Sequence, residues 1–254
     1  MIQLEALIFD VDGTLADTER DGHRVAFNRA FAEAGLDWDW SIPLYGELLA
    51  VTGGKERMRY YLERHDPKML EEAGIADRIA ELHRRKTHYY LELLRAGEIP
   101  LRPGVERLLN EAREAGLRLA IATTTTPENV TTLLSATLGD ESIDWFEVIA
   151  AGDIVPAKKP ASDIYDYTLE KLGLGAEQCL ALEDSGNGLV ASRGAGIPTV
   201  ITVNGYTEGE NFEDALVVLD EFGMPGAPAR VIAGEMHGYE YLSPESLRAL
   251  LDQA

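Results

Sequence analysis

The sequence predicts an α/β fold: a parallel sheet covered by helices on both faces, with an all-helical segment inserted after the first strand. Three observations carry this. A short apolar run at 4–11, LEALIFDV, ends in acids and glycine, as a buried strand does. Residues 19–97 then show helical periodicity and almost no strand signal. From Pro103 onward, helix-like and strand-like segments alternate, the order that builds a parallel sheet between two helical layers.

Each element follows from local chemistry. Phe27, Ala30, Phe31 and Ala34 share one helical face, and Gly35 closes that helix. Trp38 and Trp40 come next and are expected to pack locally. A second helix starts near Lys55, after Gly53-Gly54, and a third runs from about Asp77 to Arg95. The helix after Pro103-Gly104 stops at Gly116, and 117–123 reads as a strand. Thr126-Pro127 is a helix start, an N-cap followed by proline at the first helical position. Strands at 145–152, 179–184 and 198–203 alternate with helices at 162–173 and 188–196, and 216–220 is a candidate sixth strand. Residues 221–242, rich in Gly and Pro, carry no clear period, and Ser243-Pro244 caps a short last helix. This tail is either an added edge strand and helix or a partner surface.

Composition excludes several functions. The chain carries 23 Lys and Arg against 44 Asp and Glu, a net charge of −21 that repels nucleic acid and anionic lipid. No apolar run approaches the roughly 20 residues of a membrane span, and no basic segment followed by an apolar one marks a secretory leader. The single Cys179 leaves neither an internal disulfide nor a cysteine zinc site, which fits a reducing cytoplasm. An anionic small substrate remains compatible, because positive charge is gathered in one place. Residues 17–97 hold 13 Lys and Arg against 15 acids, with bases bunched at Lys55, Arg57, Arg59 and Arg64 and at Arg84, Arg85 and Lys86. Any one of these alone reads as part of a solvated helix face.

In an open parallel sheet, ligands bind beyond the carboxyl ends of the strands. Those ends here carry Asp10-Val11-Asp12-Gly13-Thr14, then Thr123, Thr124, Thr125 and Thr126, then Glu183-Asp184; Lys159-Pro160 lies on a loop after the strand ending near Gly152. One edge would thus gather carboxylates, hydroxyls, helix N-termini and a lysine. Carboxylates beside a phosphate imply Mg²⁺, a hard cation that takes oxygen ligands. A pair of aspartates at a strand end is common in solvated loops. The ordered conjunction of four motifs is not.

These motifs resemble those of the haloacid dehalogenase-like hydrolases. The resemblance covers nearly the whole chain and implies a Rossmann-like three-layer core (1–16 and 98–254) with an inserted α-helical cap (17–97). It implies that Asp10 is the nucleophile, forming an aspartyl-phosphate. Asp12 would be the acid/base, with Lys159 and Thr123 binding the transferring phosphoryl group. Mg²⁺ would be held by Asp10, the carbonyl of Asp12, and Asp184, with Glu183 close by. Dehalogenating relatives lack the second aspartate, so Asp12 points to phosphoryl transfer.

A closer resemblance, to the CbbY family, rests on Asp17-Thr18-Glu19, Thr52-Gly53-Gly54-Lys55-Glu56-Arg57, His83-Arg84-Arg85-Lys86, Gly97-Glu98-Ile99, Thr123–Thr126 and Asp184-Ser185-Gly186-Asn187-Gly188-Leu189. It implies a sugar-bisphosphatase, most closely one acting on xylulose-1,5-bisphosphate, an inhibitor of Rubisco, and hence a role in carbon fixation. The physical sense is direct. A bisphosphate needs a second clamp, and Gly53-Gly54 at a helix start, Lys55, Glu56, Arg57, His83, Arg84 and Lys86 would build it, with Glu19, Thr124 and Thr125 facing the sugar. His83 and Lys86, three apart, share a helical face. His23, His65, His88 and His237 read as ordinary surface residues. The segment 19–27 is one residue longer than in some bacterial members, so either Glu19 or His23 meets the sugar. The nearest rivals are a phosphomutase of the β-phosphoglucomutase type and a non-catalytic phosphosugar-binding protein. The protein is expected to be a cytoplasmic monomer in a bacterium, with a mature plastid form the alternative.

Overall fold

The computed structural model describes residues 3–51 and 53–253, and they form two compact units: one through Asp17 and from Pro100 onward, the other Thr18–Ile99.

The Thr18–Ile99 unit is helical. It opens with a π-helical turn, Thr18–His23, the geometry that lets a helix absorb one added residue. Helix α1 (Arg24–Glu33) buries Ala26, Phe27, Ala30 and Phe31, while Ala34 is only half-buried at its end. A short helix α2 (Ile42–Leu48), not anticipated from the sequence, is started by Ser41, whose hydroxyl accepts from the Leu44 amide at 3.3 Å. Its two turns and internal Gly46 leave no readable period. Helix α3 (Gly54–His65) buries Arg57, Met58 and Leu62. Helix α4 (Ile75–Arg95) buries Ile79, Leu82, Lys86, Tyr90, Leu93 and Leu94, a stripe of three- and four-residue steps. Trp40 is fully buried against Phe27 and Phe31, at centroid distances of 4.7 and 4.9 Å, so the tryptophans pack locally as expected.

The other unit is built on a sheet. β1 (Ala6–Phe9) is apolar and buried throughout, the mark of a strand covered on both faces. It is flanked by β2 (Arg118–Thr123) and β4 (Cys179–Glu183), with Ile8 opposite both Ala120 and Ala181. β3 (Phe146–Ala151) lies outside β2; β5 (Thr199–Thr202), β6 (Val217–Leu219) and β7 (Val231–Gly234) continue beyond β4. The order is β3-β2-β1-β4-β5-β6-β7, parallel except for the final β6–β7 pair. Helix α5 (Val105–Glu114) buries Val105, Leu108, Leu109 and Ala112 at helical spacing. α6 (Pro127–Leu138) and α7 (Asp163–Leu172) follow. α7 rests on a floor of small residues, Ala120, Ala122, Ala150 and Ala181, which lets Ile164 and Tyr165 approach the strands. α8 (Gly186–Gly194) starts two residues earlier than the periodicity suggests, because the Ser185 hydroxyl accepts from the Gly188 amide at 3.2 Å.

The tail is structural: an edge strand, β7, and a capped helix, α9 (Pro244–Leu251). Phe222 and Leu242 are fully buried, and Arg107 on α5 donates to the carbonyls of Gly223 and Leu242, both at 2.8 Å. β7 itself is exposed at every residue, so no alternation of apolar and polar marks it in the sequence. Among the described residues no helix is long and apolar enough to cross a membrane.

Candidate active site

The chain runs outward from β1 in one direction to β2 and β3, then returns to the far side of β1 for β4. The crevice at the carboxyl ends of β1 and β4 is therefore the switch point where an open sheet binds ligands. Asp10 follows the last residue of β1 and its amide donates to the Leu182 carbonyl of β4 at 3.0 Å, which sets it beside Glu183 and Asp184. Oxygens of Asp10, Glu183 and Asp184 lie within 4.8 Å of one another, and all three residues are buried.

Lys159 balances part of this charge. Its Nζ donates to Asp10 Oδ1 at 2.7 Å, to Glu183 Oε1 at 2.5 Å and to the Ala122 carbonyl at 2.8 Å. Tyr165 donates to the same Glu183 oxygen at 2.5 Å, and Asn204 Nδ2 donates to Asp184 Oδ2 at 2.6 Å. Burial pushes Asp10 up to about 7, opposed by the Lys159 ammonium and reinforced by Glu183. Burial, with Asp10 and Glu183 beside it, raises Asp184 well above the usual carboxylate range. Burial disfavours the Lys159 ammonium, but its two carboxylate partners more than compensate and hold it charged. Three carboxylates against one ammonium leave negative charge to neutralise. Clustered hard oxygens suit Mg²⁺, so the residues present fit the ion that the motifs imply.

Two glycines make room for the carboxylates. Gly13 has φ +91°, and a Cβ there would collide with the Asp184 carboxylate and lie 2.7 Å from Asn204 Nδ2. A Cβ at Gly188 would overlap the Glu183 carboxylate. Asp12, just before Gly13, is half-buried and bridges Ala16. At the end of β2, the Thr123 hydroxyl accepts from the Thr125 amide at 3.3 Å, which leaves its own proton to donate. Thr124 is half-buried, and the Thr125 hydroxyl accepts from Asn129 at 2.9 Å.

The helical unit gathers its polar residues into two buried groups. In one, the Tyr45 hydroxyl donates to Glu19 Oε2 at 2.5 Å, and Arg57 Nη1 reaches Tyr45 at 2.5 Å and Glu19 at 3.5 Å. In the other, Lys86 Nζ lies 2.7 Å from His23 Nδ1, and His23 stacks on Tyr90 at 3.9 Å. His23 is only 7% exposed, which corrects its reading as a surface histidine: the π-helical turn rotates it inward. His65, His88 and His237 are exposed. His83 is half-buried against Gly54, where a Cβ would lie 2.7 Å from its ring. Burial, then Lys86 and Lys55, lower His83 to about 4, so it is neutral at pH 7.

The basic run 83–86 divides. The Arg84 side chain is 75% exposed and paired with Glu81, outside both groups. Arg85 bonds Glu81 at 2.8 Å. Arg84 lies on the face opposite the one that buries Leu82 and Lys86, whereas Arg85 lies on its flank, half-buried and 3.4 Å from Glu33 of α1. Gly53, Lys55 and Glu56 are exposed at the start of α3, and the Glu56 carboxylate lies over Gly53, where a helix favours negative charge. Thr52 lies outside the described residues. Sequence reasoning missed Tyr45, Tyr165 and Asn204. Asn204 had a signal, since it follows β5 at the binding edge of the sheet; the two tyrosines had none.

The family model for haloacid dehalogenase-like hydrolases matches residues 4–196. The chain is 51% identical over 247 residues to the plasmid-borne protein CbbY of Cupriavidus necator, covering 97% of this chain and 96% of that one. It is similar to the crystal structure of CbbY from Rhodobacter sphaeroides in complex with phosphate, with a TM-score of 0.76 and 46% identity, over 86% of this chain and 95% of that one. A mutant of that CbbY in complex with xylulose-(1,5)bisphosphate gives a TM-score of 0.77, with the same 46% identity and the same 86% and 95% coverage. The chain belongs to the haloacid dehalogenase-like hydrolases and, within them, to the CbbY family: it is a hydrolytic enzyme.

Proposed function

We propose that the enzyme is a Mg²⁺-dependent sugar-bisphosphate phosphatase that converts xylulose-1,5-bisphosphate to xylulose 5-phosphate and phosphate. The observation that carries this reading is the buried Asp10 carboxylate, bonded to Lys159 and set beside Glu183 and Asp184 at the switch point of the sheet. The likeness to a CbbY bound to that bisphosphate supports the choice of sugar.

Asp10 attacks phosphorus through a carboxylate oxygen. The bond between phosphorus and the sugar oxygen breaks, and Asp12 gives that oxygen its proton. Asp12, now ionised, takes a proton from water as the water attacks the aspartyl-phosphate, and phosphate leaves with Asp10 restored. Lys159 and the Thr123 hydroxyl bind the equatorial oxygens on which charge develops. Asp10, the Asp12 carbonyl and Asp184 would hold Mg²⁺, which would shield the carboxylate from the phosphate and polarise the transferring group. The helical unit supplies specificity: Arg57, Lys86 and the start of α3 would take the second phosphate, and Glu19 a sugar hydroxyl.

Phosphate release measured across sugar mono- and bisphosphates tests the reading. It expects xylulose-1,5-bisphosphate to have the highest kcat/KM. Isomerised sugar phosphate without free phosphate would replace it with a phosphomutase.

A further inference from the structure

Arg102 is buried, 7% exposed, and has no part in the chemistry above. Its Nη1 donates to the Gly13 carbonyl at 2.5 Å, the Thr202 carbonyl at 2.9 Å and the Thr202 hydroxyl at 3.3 Å. Its Nη2 donates to the carbonyls of Val203 at 2.5 Å and Asp220 at 2.7 Å, and its Nε lies 3.7 Å from Asp17. Its amide donates to the Leu15 carbonyl at 2.8 Å, and the neighbouring Leu101 bridges Ala16. One side chain thus ties together the turn after β1, the end of β5 and the end of β6.

The two shortest bonds flank the active site. Gly13 is the residue after Asp12, and its α-carbon packs against the Asp184 carboxylate. Val203 precedes Asn204, which holds Asp184. A planar guanidinium with a fixed fork of donors can satisfy carbonyls on both sides at once; an ammonium, with three donors on one atom, cannot span them. The cost of burying this cation is met by oxygens that also fix the backbone next to Asp12.

We propose that Arg102 is a positioning residue for proton transfer: by holding the Gly13 carbonyl it sets where the Asp12 carboxyl stands relative to the leaving oxygen. This rests on Asp12 being the general acid. A misplacement of about 1 Å costs on the order of 10²-fold in rate. The loss should depend on the leaving group, because a sugar alkoxide needs a proton and a nitrophenolate leaves without one.

The experiment compares kcat/KM for a sugar phosphate and for p-nitrophenyl phosphate in Arg102→Lys, with Asp12→Ala in parallel. We expect about a 10²-fold loss on the sugar phosphate, carried by kcat, and little loss on the aryl ester. If Arg102→Lys does not fold, Arg102→Gln, which keeps a donor on a neutral planar group, takes its place. Equal losses on both esters, or none, while Asp12→Ala shows the leaving-group split, would overturn the role of Arg102 alone. Absence of the split in Asp12→Ala would overturn the general-acid reading and this inference with it.

Discussion

Replacing Arg57 by alanine should damage bisphosphate turnover far more than turnover of a small monophosphate. Arg57 sits within the buried group of the helical unit, bonded to Tyr45 at 2.5 Å and, more loosely, to Glu19 at 3.5 Å. In the proposed function its guanidinium meets the second phosphate, and binding energy from that remote group is spent on alignment at the reacting one. A hydrogen bond to a charged group is worth about 1.5–3 kcal/mol. At about 1.4 kcal/mol per decade, kcat/KM on the bisphosphate should fall roughly ten- to a hundredfold. The substitution also removes packing on Tyr45, whose ring centroid lies 5.0 Å from the guanidinium carbon, so Tm should fall by several degrees. That structural loss acts on both substrates and cancels in the ratio of their kcat/KM values. The assay is phosphate release from xylulose-1,5-bisphosphate and from a simple phosphate ester, with Tm measured alongside. Equal losses on the two substrates would refute the clamp at this position.

Asp10→Asn should abolish turnover, since an amide is no phosphoryl acceptor, whereas Asp12→Ala should bind substrate but react roughly 10²–10⁴-fold more slowly; trapping the phosphoryl group on another residue would contradict this. Asp184→Ala should weaken Mg²⁺ binding seen by calorimetry and impair activity, and full turnover in excess chelator would exclude the metal. His83 should titrate near 4 by NMR, below its ordinary 6.5. Between those values the unfolded chain binds more protons, so stability should rise with pH from 4 to 6.5 and be flat, for this group, above; His83→Gln should lose that slope, and a titration near 6.5 would overturn the assignment.

The sequence by itself determined what depends on neighbours along the chain. The apolar runs of β1 and β4 leave no choice but a doubly covered sheet, and Asp10 and Asp184, one step past those runs, must then emerge at its binding edge. The cap at Ser243 follows from a side chain reaching the amide three residues on. What folding alone decided joins residues far apart in number. Tyr165 meets Glu183 because four alanines let α7 sink onto the sheet. His23 meets Lys86 because a π-helical turn, invisible in composition, rotates it inward. Arg84 and Lys86 part company by two helical positions, a difference that the charge run does not show. Arg102 looks like any arginine before Pro-Gly until the ends of β5 and β6 bring their carbonyls to it. Periodicity reports which face is apolar, but the pairing of buried polar groups is set by which segments the topology places side by side.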